Sequence, residues 1–381
     1  MGRPLLTMLL RGCRAAGTAA DGDEPRAPFD VRIDRGRLVQ VGSLQSGPSE
    51  EVVDLGGAYL VPGLVDAHVH LALGGSRDPV ANARRALRRG VCAVRDLGRP
   101  EEEPGEAAEG NLSCPRIVSA GPALTRPGGY GLFLGRPIPP GSPLAPVVDG
   151  LISRGAGVIK VVLTGAVDLA TGTVGPAQFS ARELAQIVAA ARGAGIPVAA
   201  HANGRTAVAL AARAGVDSVE HGILLGSAEL QLLAERGIRW VPTLSPLHAL
   251  AADPRCTGLP RVFSKHLEAV AEGAALGVKV VAGTDAGSPG VQHGALGLEL
   301  ALLRRAGLSA EQLRASVTQE AARLLGLPEG YGTLDPGAQT DLVWFSHDPF
   351  APEGPRRRDD PPDALGDPLG VLCRGRRLEL V

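Results

Sequence analysis

Short apolar runs alternate with longer amphipathic segments through the middle of the chain. Eight segments have the apolar, β-branched texture of buried strands, and most are followed by a stretch with helical spacing. These segments are YLVPGLVDAHVHL, GVCAVRDLG, RIVSAGPAL, GVIKVVLTG, IPVAAHA, VDSVEHG, IRWVPTLS and VKVVAGTDAG. Because eight strand–helix units are typical of a closed parallel barrel, the pattern predicts a (β/α)8 TIM barrel. The alternative is an open doubly wound sheet, which is disfavoured because no glycine-rich phosphate loop follows an early strand.

Two of the helical stretches have clear starting signals. Ser180 precedes Glu183 by three residues, and Ser309 precedes Gln312 by the same spacing. This spacing is typical of a capping box, in which the two side chains satisfy the first backbone amides of a helix. We therefore expect helices to begin directly after both serines.

Both ends of the chain consist of short β runs split by proline and glycine. FDVRIDRGRLVQVG predicts a hairpin that turns at residues 34–36, and LGVLCRGRRLELV predicts a second hairpin. GTLDPGAQTDLVWFSHDP has the same texture. We therefore expect a small β-sandwich domain formed from both termini, with residues 1–60 and 331–381 flanking a barrel at residues 61–330.

Residues 99–146 are rich in proline, glycine and acidic side chains and include GGYGLFLGRPIPPGSP. We interpret this segment as loop insertions around the third barrel strand. Two interpretations stay open: an ordered lid over the mouth of the barrel, and a disordered surface insertion.

Composition narrows the classes of partner and compartment. A length of 381 residues fits one barrel of roughly 250 residues plus a smaller unit. A net charge of −1 gives no reason to expect nucleic acid or a membrane as partner, and no apolar run approaches the ~20 residues of a membrane span. The five cysteines form no CxxC pair, which indicates reduced thiols and a cytoplasmic protein. We expect a small-molecule substrate, and a homo-oligomer is left open.

Four of the eight histidines fall at the ends of predicted strands. His68 and His70 are two residues apart in the first strand, so their side chains point to one face. His201 ends the fifth strand and His221 the sixth. Taken singly, each could be a hydrogen-bonded core or surface histidine. Together, at the end of the barrel where active sites form, they predict a metal site.

Two further polar residues interrupt apolar strands. Asp285 ends VVAGTDAG, where a carboxylate is costly unless it is paired or binds metal; the alternative is a helix N-cap. Lys160 lies within VIKVVL and is one of only three lysines in an arginine-rich chain. Burial favours the neutral amine, which can react with CO2 to give a carbamate, whereas arginine stays protonated. The alternative is an ordinary lysine paired with a carboxylate.

With these residues in view, the sequence resembles the amidohydrolase superfamily from about residue 30 to residue 381. The motifs that carry the resemblance are VPGLVDAHVH, IKVVLTG, VAAHANG, SVEHG, AGTDAG, EAARLLGL and GTLDPGAQTDLVWFSHDP. A lysine in the fourth strand with histidines in the fifth and sixth is similar to the branch that contains metal-dependent prolidases, Xaa-Arg dipeptidases and imidazolonepropionase relatives.

The resemblance implies a hydrolase with two divalent ions, for which zinc suits the ligands best. One ion is held by His68, His70 and Asp285, and the other by His201 and His221. Carbamylated Lys160 bridges them together with a hydroxide, and Asp285 carries the proton from the nucleophile to the leaving nitrogen. The implied reaction is hydrolysis of a C–N amide bond in a dipeptide, an N-acyl amino acid or a cyclic amide.

The sequence departs from the dipeptidase pattern at positions that tend to contact substrate. Tyr130 follows two glycines where relatives often have histidine, and Asn203 stands where they often have tyrosine. We treat both as substrate contacts together with His293, for which a surface-loop position is the alternative. Three other functions stay in view: a lactone or ester hydrolase using the same site, a non-catalytic scaffold, and a deaminase. The last is disfavoured because HANG lacks the expected glutamate.

Overall fold

A computed structural model of the chain describes residues 7–17, 27–74, 76–100, 113–168, 173–351, 363 and 365–378. In chain order its strands are β1 (Met8–Ala15), β2 (Phe29–Asp34), β3 (Arg37–Gly42), β4 (Glu51–Asp54), β5 (Tyr59–Pro62), β6 (Leu64–Val69), β7 (Val91–Asp96), β8 (Arg116–Ser119), β9 (Ala123–Thr125), β10 (Gly135–Pro137), β11 (Ile159–Val162), β12 (Val198–Ala202), β13 (Ser218–His221), β14 (Arg239–Val241), β15 (Leu342–Phe345), β16 (Gly370–Cys373) and β17 (Arg376–Leu378).

The helices lie mostly between the parallel strands. They are α1 (Pro79–Arg88), α2 (Leu144–Ser153), α3 (Ala181–Gly193), α4 (Arg205–Ala214), α5 (Ser227–Arg236), α6 (Leu244–Ala251), α7 (Leu259–Ala275), α8 (Leu296–Arg305), α9 (Ala310–Val317) and α10 (Gln319–Leu324), with a 3-10 helix at Leu132–Leu134. Both expected capping boxes are present, at the starts of α3 and α9. Across the described ranges, no helix is long and apolar enough to cross a bilayer.

Strands from both ends of the chain pair in one sheet, in the order β17-β16-β15-β5-β1-β2-β3, with β4 also paired to β1. The two hairpins expected from the sequence are present as β2–β3 and β16–β17. Each turns through an Arg-Gly pair with positive φ, at Arg35–Gly36 and Arg374–Gly375. Two consecutive residues with positive φ give the turn type that matches the twist of paired strands.

The parallel strands form one sheet of three strands, β6-β7-β8, and one of six, β10-β9-β11-β12-β13-β14. The two sheets are joined by backbone hydrogen bonds on both sides. On one side, the amide of Gly157 donates to the carbonyl of Ser119 at 2.9 Å. On the other side, the amide of Ala67 in β6 donates to the carbonyl of Ala282 at 3.0 Å, and the amide of the adjacent Val281 donates to the carbonyl of Trp240 in β14 at 2.9 Å. Mixed parallel strands and helices in this alternation are of the TIM-barrel type.

The segment YLVPGLVDAHVHL is not one strand, contrary to the sequence prediction. β5 pairs with β1 and β15 in the terminal sheet, whereas β6 pairs with β7. The chain crosses between them at Gly63, where an added Cβ would lie 2.8 Å from the Cβ atoms of both Asp341 and Cys92. Only glycine fits there without displacing these neighbours, and Gly63 is the single residue between β5 and β6.

Two other expected strands are also altered. RIVSAGPAL is divided into β8 and β9. VKVVAGTDAG makes single bridges to Trp240 and Val69 rather than a continuous ladder. An added Cβ on Gly283 would lie 2.5 Å from a methyl of Val241, and Asp285 has a φ of 54°, so this segment runs close to its neighbours without regular strand geometry.

Of the segment 99–146, residues 101–112 lie outside the described residues. The remainder contains β8, β9, the 3-10 helix, β10 and the start of α2. The five cysteines are buried free thiols in the part of the chain that the structure describes.

Candidate metal centre

Four histidine rings meet at the carboxyl ends of the parallel strands. The ring centroids of His201 and His221 are 4.4 Å apart, those of His68 and His221 5.0 Å, and those of His68 and His70 5.3 Å. All four side chains are buried. Parallel strands bring their carboxyl ends to one rim, which is why residues far apart in the sequence converge here.

Asp285 joins this group through its carboxylate. Its Oδ1 lies 3.2 Å from Nε2 of His70 and 3.5 Å from Nε2 of His68. Single ligand atoms of His68, His221 and Asp285 all lie within 4.8 Å of one another, close enough for one cation to contact all three. The donors are imidazole and carboxylate, a combination that suits zinc and allows other divalent metals.

Two of these residues have strained backbone conformations. His221 has a φ of 64° and Asp285 a φ of 54°, in the left-handed region that residues with a Cβ rarely adopt. Their neighbours hold them there. The amide of Asp285 donates to the carbonyl of His68 at 2.7 Å, and Nε1 of Trp240 donates to the carbonyl of His221 at 2.9 Å. Strain of this kind persists where surrounding contacts over-determine the geometry, and it is common at functional sites.

In His68, His70 and His221, a hydrogen bond at Nδ1 determines that Nε2 is the ring nitrogen left to bind a ligand. Nδ1 of His68 donates to Glu220 at 2.8 Å, and Nδ1 of His70 lies 3.2 Å from the carbonyl oxygen of Gly98. Nδ1 of His221 lies 2.6 Å from the hydroxyl of Thr243, which itself donates to the carbonyl of Pro242. With its single proton directed to Pro242, the hydroxyl oxygen of Thr243 accepts from Nδ1 of His221. The lone pairs on Nε2 of these three histidines are therefore available to bind a cation.

In His201 it is Nε2, rather than Nδ1, that has hydrogen-bonding neighbours. This Nε2 lies 3.3 Å from the carbonyl oxygen of Gly165 and 3.4 Å from the side-chain nitrogen Nδ2 of Asn203. The structure therefore brings His201 to the group of rings without leaving its Nε2 open.

A buried ion pair between Glu220 and Arg95 holds the His68 ring in place. Glu220, fully buried on β13, accepts from His68 through one oxygen and from Arg95 at 2.8 Å through the other. Arg95 also donates to the carbonyl of Ala67 and to the hydroxyl of Ser218. Sequence reasoning missed both residues. The sequence does contain a signal for both, because Arg95 and Glu220 are charged residues within apolar strands. A charge in such a position needs a partner, as was argued for Lys160.

Asp66 connects β6 to the segment that carries Asp285. It accepts from the backbone amide of Thr284 at 2.9 Å and from the hydroxyl of the same residue at 2.6 Å. Burial raises the pKa of Asp66 to about 6. These bonds position Asp285 relative to His68.

Burial favours the neutral imidazoles of His68, His201 and His221 by lowering their pKa values. It lowers the pKa of His68 to about 4 and that of His201 to about 3, with the nearby Lys160 acting in the same direction. Burial alone would raise the pKa of Asp285, but His68 and His70 outweigh it and lower that pKa to about 2. Neutral imidazoles beside an ionised carboxylate are the protonation states that a metal ion requires.

Lys160 reaches the same region from β11. Its side chain is 1% exposed, and its Nζ has no hydrogen-bond partner within the described ranges. Burial lowers the pKa of this amine to about 8, although Glu220 and Asp285 act in the opposite direction. Nε2 of His68 is likewise buried without a partner among those residues. A cation at this position would satisfy the buried lone pair of His68, which is the kind of partner that an unsatisfied buried polar atom requires.

The three expected substrate contacts lie in different surroundings. The Tyr130 ring is 5.4 Å from that of His201 and is 37% exposed. Asn203 is buried, and its side-chain oxygen accepts from the amide of Ile223 at 3.0 Å. His293 is also buried, with Nε2 3.1 Å from the carbonyl oxygen of Leu73, so its alternative interpretation as a surface-loop histidine is wrong.

Comparison of the sequence with known proteins gives a consistent set of relatives. Residues 59–377 match the model of the Amidohydrolase family. An uncharacterised protein of Mycobacterium tuberculosis is 31% identical over 333 residues, which cover 84% of this chain and 85% of that protein. The ochratoxinase of Aspergillus niger is 28% identical over 76% of this chain and 71% of its own length. An imidazolonepropionase of Acidiphilium cryptum is 28% identical over 82% of this chain and 86% of its own.

Solved structures agree with the sequence relatives. A prolidase in complex with N-methylphosphonate-L-proline has a TM-score of 0.83 and 26% identity, covering 98% of this chain and 99% of its own. A Xaa-Pro dipeptidase with bound methionine has the same TM-score over 98% of this chain and 100% of its own, and at 24% identity it shows the fold alone. The resemblance to prolidases and imidazolonepropionases expected from the motifs is confirmed.

Proposed function

Because the chain belongs to the amidohydrolase family, we propose that it is a hydrolase that cleaves a C–N amide bond with the help of two divalent ions. The substrate class is a small dipeptide, N-acyl amino acid or cyclic amide. The observation that supports this most directly is the buried, partnerless Nε2 of His68, which faces the carboxylate of Asp285 beside His221.

We assign the metal ligands as follows. One ion would be held by His68, His70 and Asp285, and the second by His201 and His221, with zinc favoured by the donor set. Lys160 would bridge them as a carbamate, which its burial and its partnerless amine support. The carbamate would turn a buried amine beside two cations into a negatively charged ligand. For His201 this assignment requires its Nε2 to leave the carbonyl oxygen of Gly165 or its Nδ1 to serve as ligand.

Two divalent ions held in this way would polarise the scissile carbonyl and lower the pKa of the attacking water. Asp285, ionised because of its histidine neighbours, accepts the proton of that water and returns it to the leaving nitrogen. Asp66 and Glu220 hold Asp285 and His68 in position through the hydrogen bonds described above.

The proposed site implies a particular architecture around it. We propose that the parallel strands close as an eight-stranded barrel over residues 61–330, with the segment 280–286 as its eighth strand. Residues 1–60 and 331–381 would form a β-sandwich beside it. Backbone bonds from this segment to both Trp240 and Ala67 support the closure.

Metal analysis combined with a substrate screen tests the function. The purified protein should contain about two divalent ions per chain, and replacing His68 and His70 by Ala should remove metal and activity together. His347→Ala, at an exposed histidine away from the site, should change neither. Full activity after exhaustive chelation would contradict the proposal.

The screen should include dipeptides, N-acyl amino acids, hydantoins and lactones. We expect the amides to be hydrolysed fastest. A preference for lactones would leave the proposed metal site unchanged but would replace the amide by an ester as the bond that is cleaved. A preference for a phosphotriester or a nucleobase amine would refute the proposed substrate class. Asp285→Asn should lower turnover by roughly 100-fold or more, the range typical of a lost acid–base group. A loss below tenfold would reject Asp285 as the proton carrier.

A further inference from the structure

An unusual concentration of exposed apolar side chains lies beside the candidate metal centre. Among the described residues, eight large apolar side chains are exposed, and three of them fall within four consecutive positions. These are Tyr130, Leu132 and Phe133, which we call the apolar rim; their exposed fractions are 37%, 43% and 50%. The Tyr130 ring contacts Phe133 at 5.7 Å and His201 at 5.4 Å, so the rim is continuous with the site.

The rim is anchored to the parallel strands rather than loosely attached. The side-chain oxygen of Gln178 accepts from the amide of Tyr130, and its nitrogen donates to the carbonyl of Val162, both at 2.9 Å. Gly131 has a φ of 87°, and an added Cβ would lie 3.0 Å from Val162. The backbone is tighter still at Gly135, where a Cβ would lie 1.9 Å from the carbonyl oxygen of Ala123.

The 3-10 helix explains why two apolar side chains of the rim face outward. With three residues per turn, consecutive side chains point in three different directions, so a single turn cannot bury all of them. Leu134 is the one that is buried, where it packs with Ala123 and Val162. Leu132 and Phe133 are therefore held outward by a fixed backbone, and their exposure is a property of the folded loop.

The segment that carries the apolar rim is uncharged. The residues from Gly128 to Leu134 include no Asp, Glu, His, Lys or Arg, and the nearby Arg126 is buried. Its guanidinium donates to the carbonyl of Ile138, pairs with Glu183 and lies 4.1 Å from the Phe179 ring. The rim therefore offers contacts to an aliphatic or aromatic group and no cation of its own for a carboxylate.

We propose that the apolar rim is a specificity subsite that binds an apolar group of the substrate, so that this enzyme prefers amides with an aliphatic or aromatic substituent. The inference rests on the proposed function, because the rim has this role only if the neighbouring site hydrolyses an amide. A preformed, anchored apolar surface loses little conformational entropy when the substrate binds, which favours the role of a recognition element.

Two substrate series test the proposal. In one, the acyl chain of an N-acyl amino acid is lengthened from acetyl to octanoyl; in the other, the amine side is lengthened while the acyl group stays constant. On the side that contacts the rim, kcat/KM should rise about threefold per added methylene, slightly less than the roughly fourfold expected for full burial. The Leu132→Ser/Phe133→Ser variant should reduce the ratio between the longest and shortest substrates by about tenfold or more.

Leu369→Ser is the matched control, because Leu369 is the most exposed of the large apolar residues, at 57%, and lies next to β16 rather than near the site. It should keep the wild-type chain-length dependence. Absence of chain-length dependence in the wild type, or the same dependence in the rim variant, would overturn the proposal. A change in oligomeric state of the rim variant with unchanged chain-length dependence would assign the rim to an interface between copies and would also overturn it.

A binding measurement separates this inference from the proposed function. If no amide is hydrolysed, the proposed function fails. Calorimetric titration with acetyl and hexanoyl amino acids then tests the rim directly. Tighter binding of the hexanoyl compound to the wild type than to the rim variant would support the subsite. Equal binding to the two proteins would refute it.

Discussion

Lys160 is a buried amine among carboxylates and imidazoles, with no hydrogen bond of its own among the described residues. We expect Lys160→Arg to lose at least one metal ion and nearly all activity, since arginine is always protonated and cannot form a carbamate. Lys160→Ala should be partly rescued by acetate or propionate, which can occupy the vacated bridge. Metal content and turnover measured with and without added carboxylate check this. An unmodified Lys160 in native mass measurements of a fully active, two-metal protein would contradict it.

Glu220 should control metal affinity without touching the metal. Glu220→Gln removes the charge that holds Nδ1 of His68, and loss of such a supporting hydrogen bond typically weakens metal binding 10–100-fold, an estimate from other metal sites. Competition with a chromophoric chelator measures this affinity independently of catalysis.

Glu299→Gln is the control for this variant. Glu299 is equally buried but bonds to Leu244 and Ser245 rather than to a histidine. Equal metal affinity in the two variants would show that Glu220 has a general stabilising role only.

The main residues of the candidate site could be predicted from sequence because each lies near the end of its own apolar run. His68, His201, His221 and Asp285 all occupy such positions, and the structure brings them together. The supporting contacts could not be predicted in the same way. The bond from Glu220 to His68 depends on the register between strands 152 residues apart, which no local pattern encodes.

At the scale of the element, the start of α6 depends on a buried glutamate from another helix. Glu299 on α8 accepts from the amides of Leu244 and Ser245, both at 2.8 Å, and from the Ser245 hydroxyl at 2.6 Å. Burial nevertheless raises the pKa of Glu299 to about 7. The first amides of a helix therefore have a partner whose charge is disfavoured by its surroundings.

The raised pKa of Glu299 makes the free energy of unfolding decrease as the pH rises. Between its unfolded pKa of about 4.5 and its folded pKa of about 7, the unfolded chain releases the proton that the native protein retains. Stability from this group is therefore complete below about pH 4.5, falls as the pH rises, and is constant above about pH 7. Glu299→Gln should lack this fall, so its free energy of unfolding relative to wild type should increase from pH 5 to pH 8. Urea unfolding of both proteins at pH 5 and at pH 8 measures this difference.

The exposed Glu311, at the start of α9, gives the comparison variant for that experiment. Glu311→Gln should show no such pH-dependent difference. A relative stability of Glu299→Gln that is the same at pH 5 and pH 8 would contradict the expected titration.

Elements with complete local signals were predictable. The capping boxes at Ser180 and Ser309 and both terminal hairpins lie where the sequence indicates. The division of the first long apolar run was not predictable, because Gly63 is required by Cys92 and Asp341, which approach it only in the folded molecule. A tertiary contact, rather than local preference, ends β5 and begins β6.

At the scale of the whole molecule, Asp341 joins the terminal sheet to the parallel strands. Its carboxylate accepts from Arg116 on β8 at 2.8 Å and from the amide of Arg374 at 2.7 Å. The side chain is almost fully buried, and removing one partner of a buried pair leaves the other uncompensated. We expect Asp341→Ala to lower the free energy of unfolding by about 2–4 kcal/mol, since Arg116 keeps partial contact with water.

Asp253→Ala provides the comparison, because Asp253 pairs with Arg255 at the surface. This replacement should change the free energy of unfolding far less than Asp341→Ala, because a solvent-exposed ion pair contributes little to stability. Urea denaturation of the two variants decides between them, and an Asp341→Ala protein within 1 kcal/mol of wild type would refute the role of Asp341 as a connection between the two parts.

The pairing of β5 with β15 also sets an order of events during synthesis. Tyr59 is opposite Phe345 in this pair, a separation of 286 residues that is among the longest loops the chain must close. While the ribosome is still making the parallel strands, the backbone edge of β5 has no partner on that side. We expect nascent chains that end before residue 342 to be prone to intermolecular association and to bind chaperones through this open edge. The protein should therefore reach its protease-resistant state late in translation, after all residues of the candidate metal centre have been made.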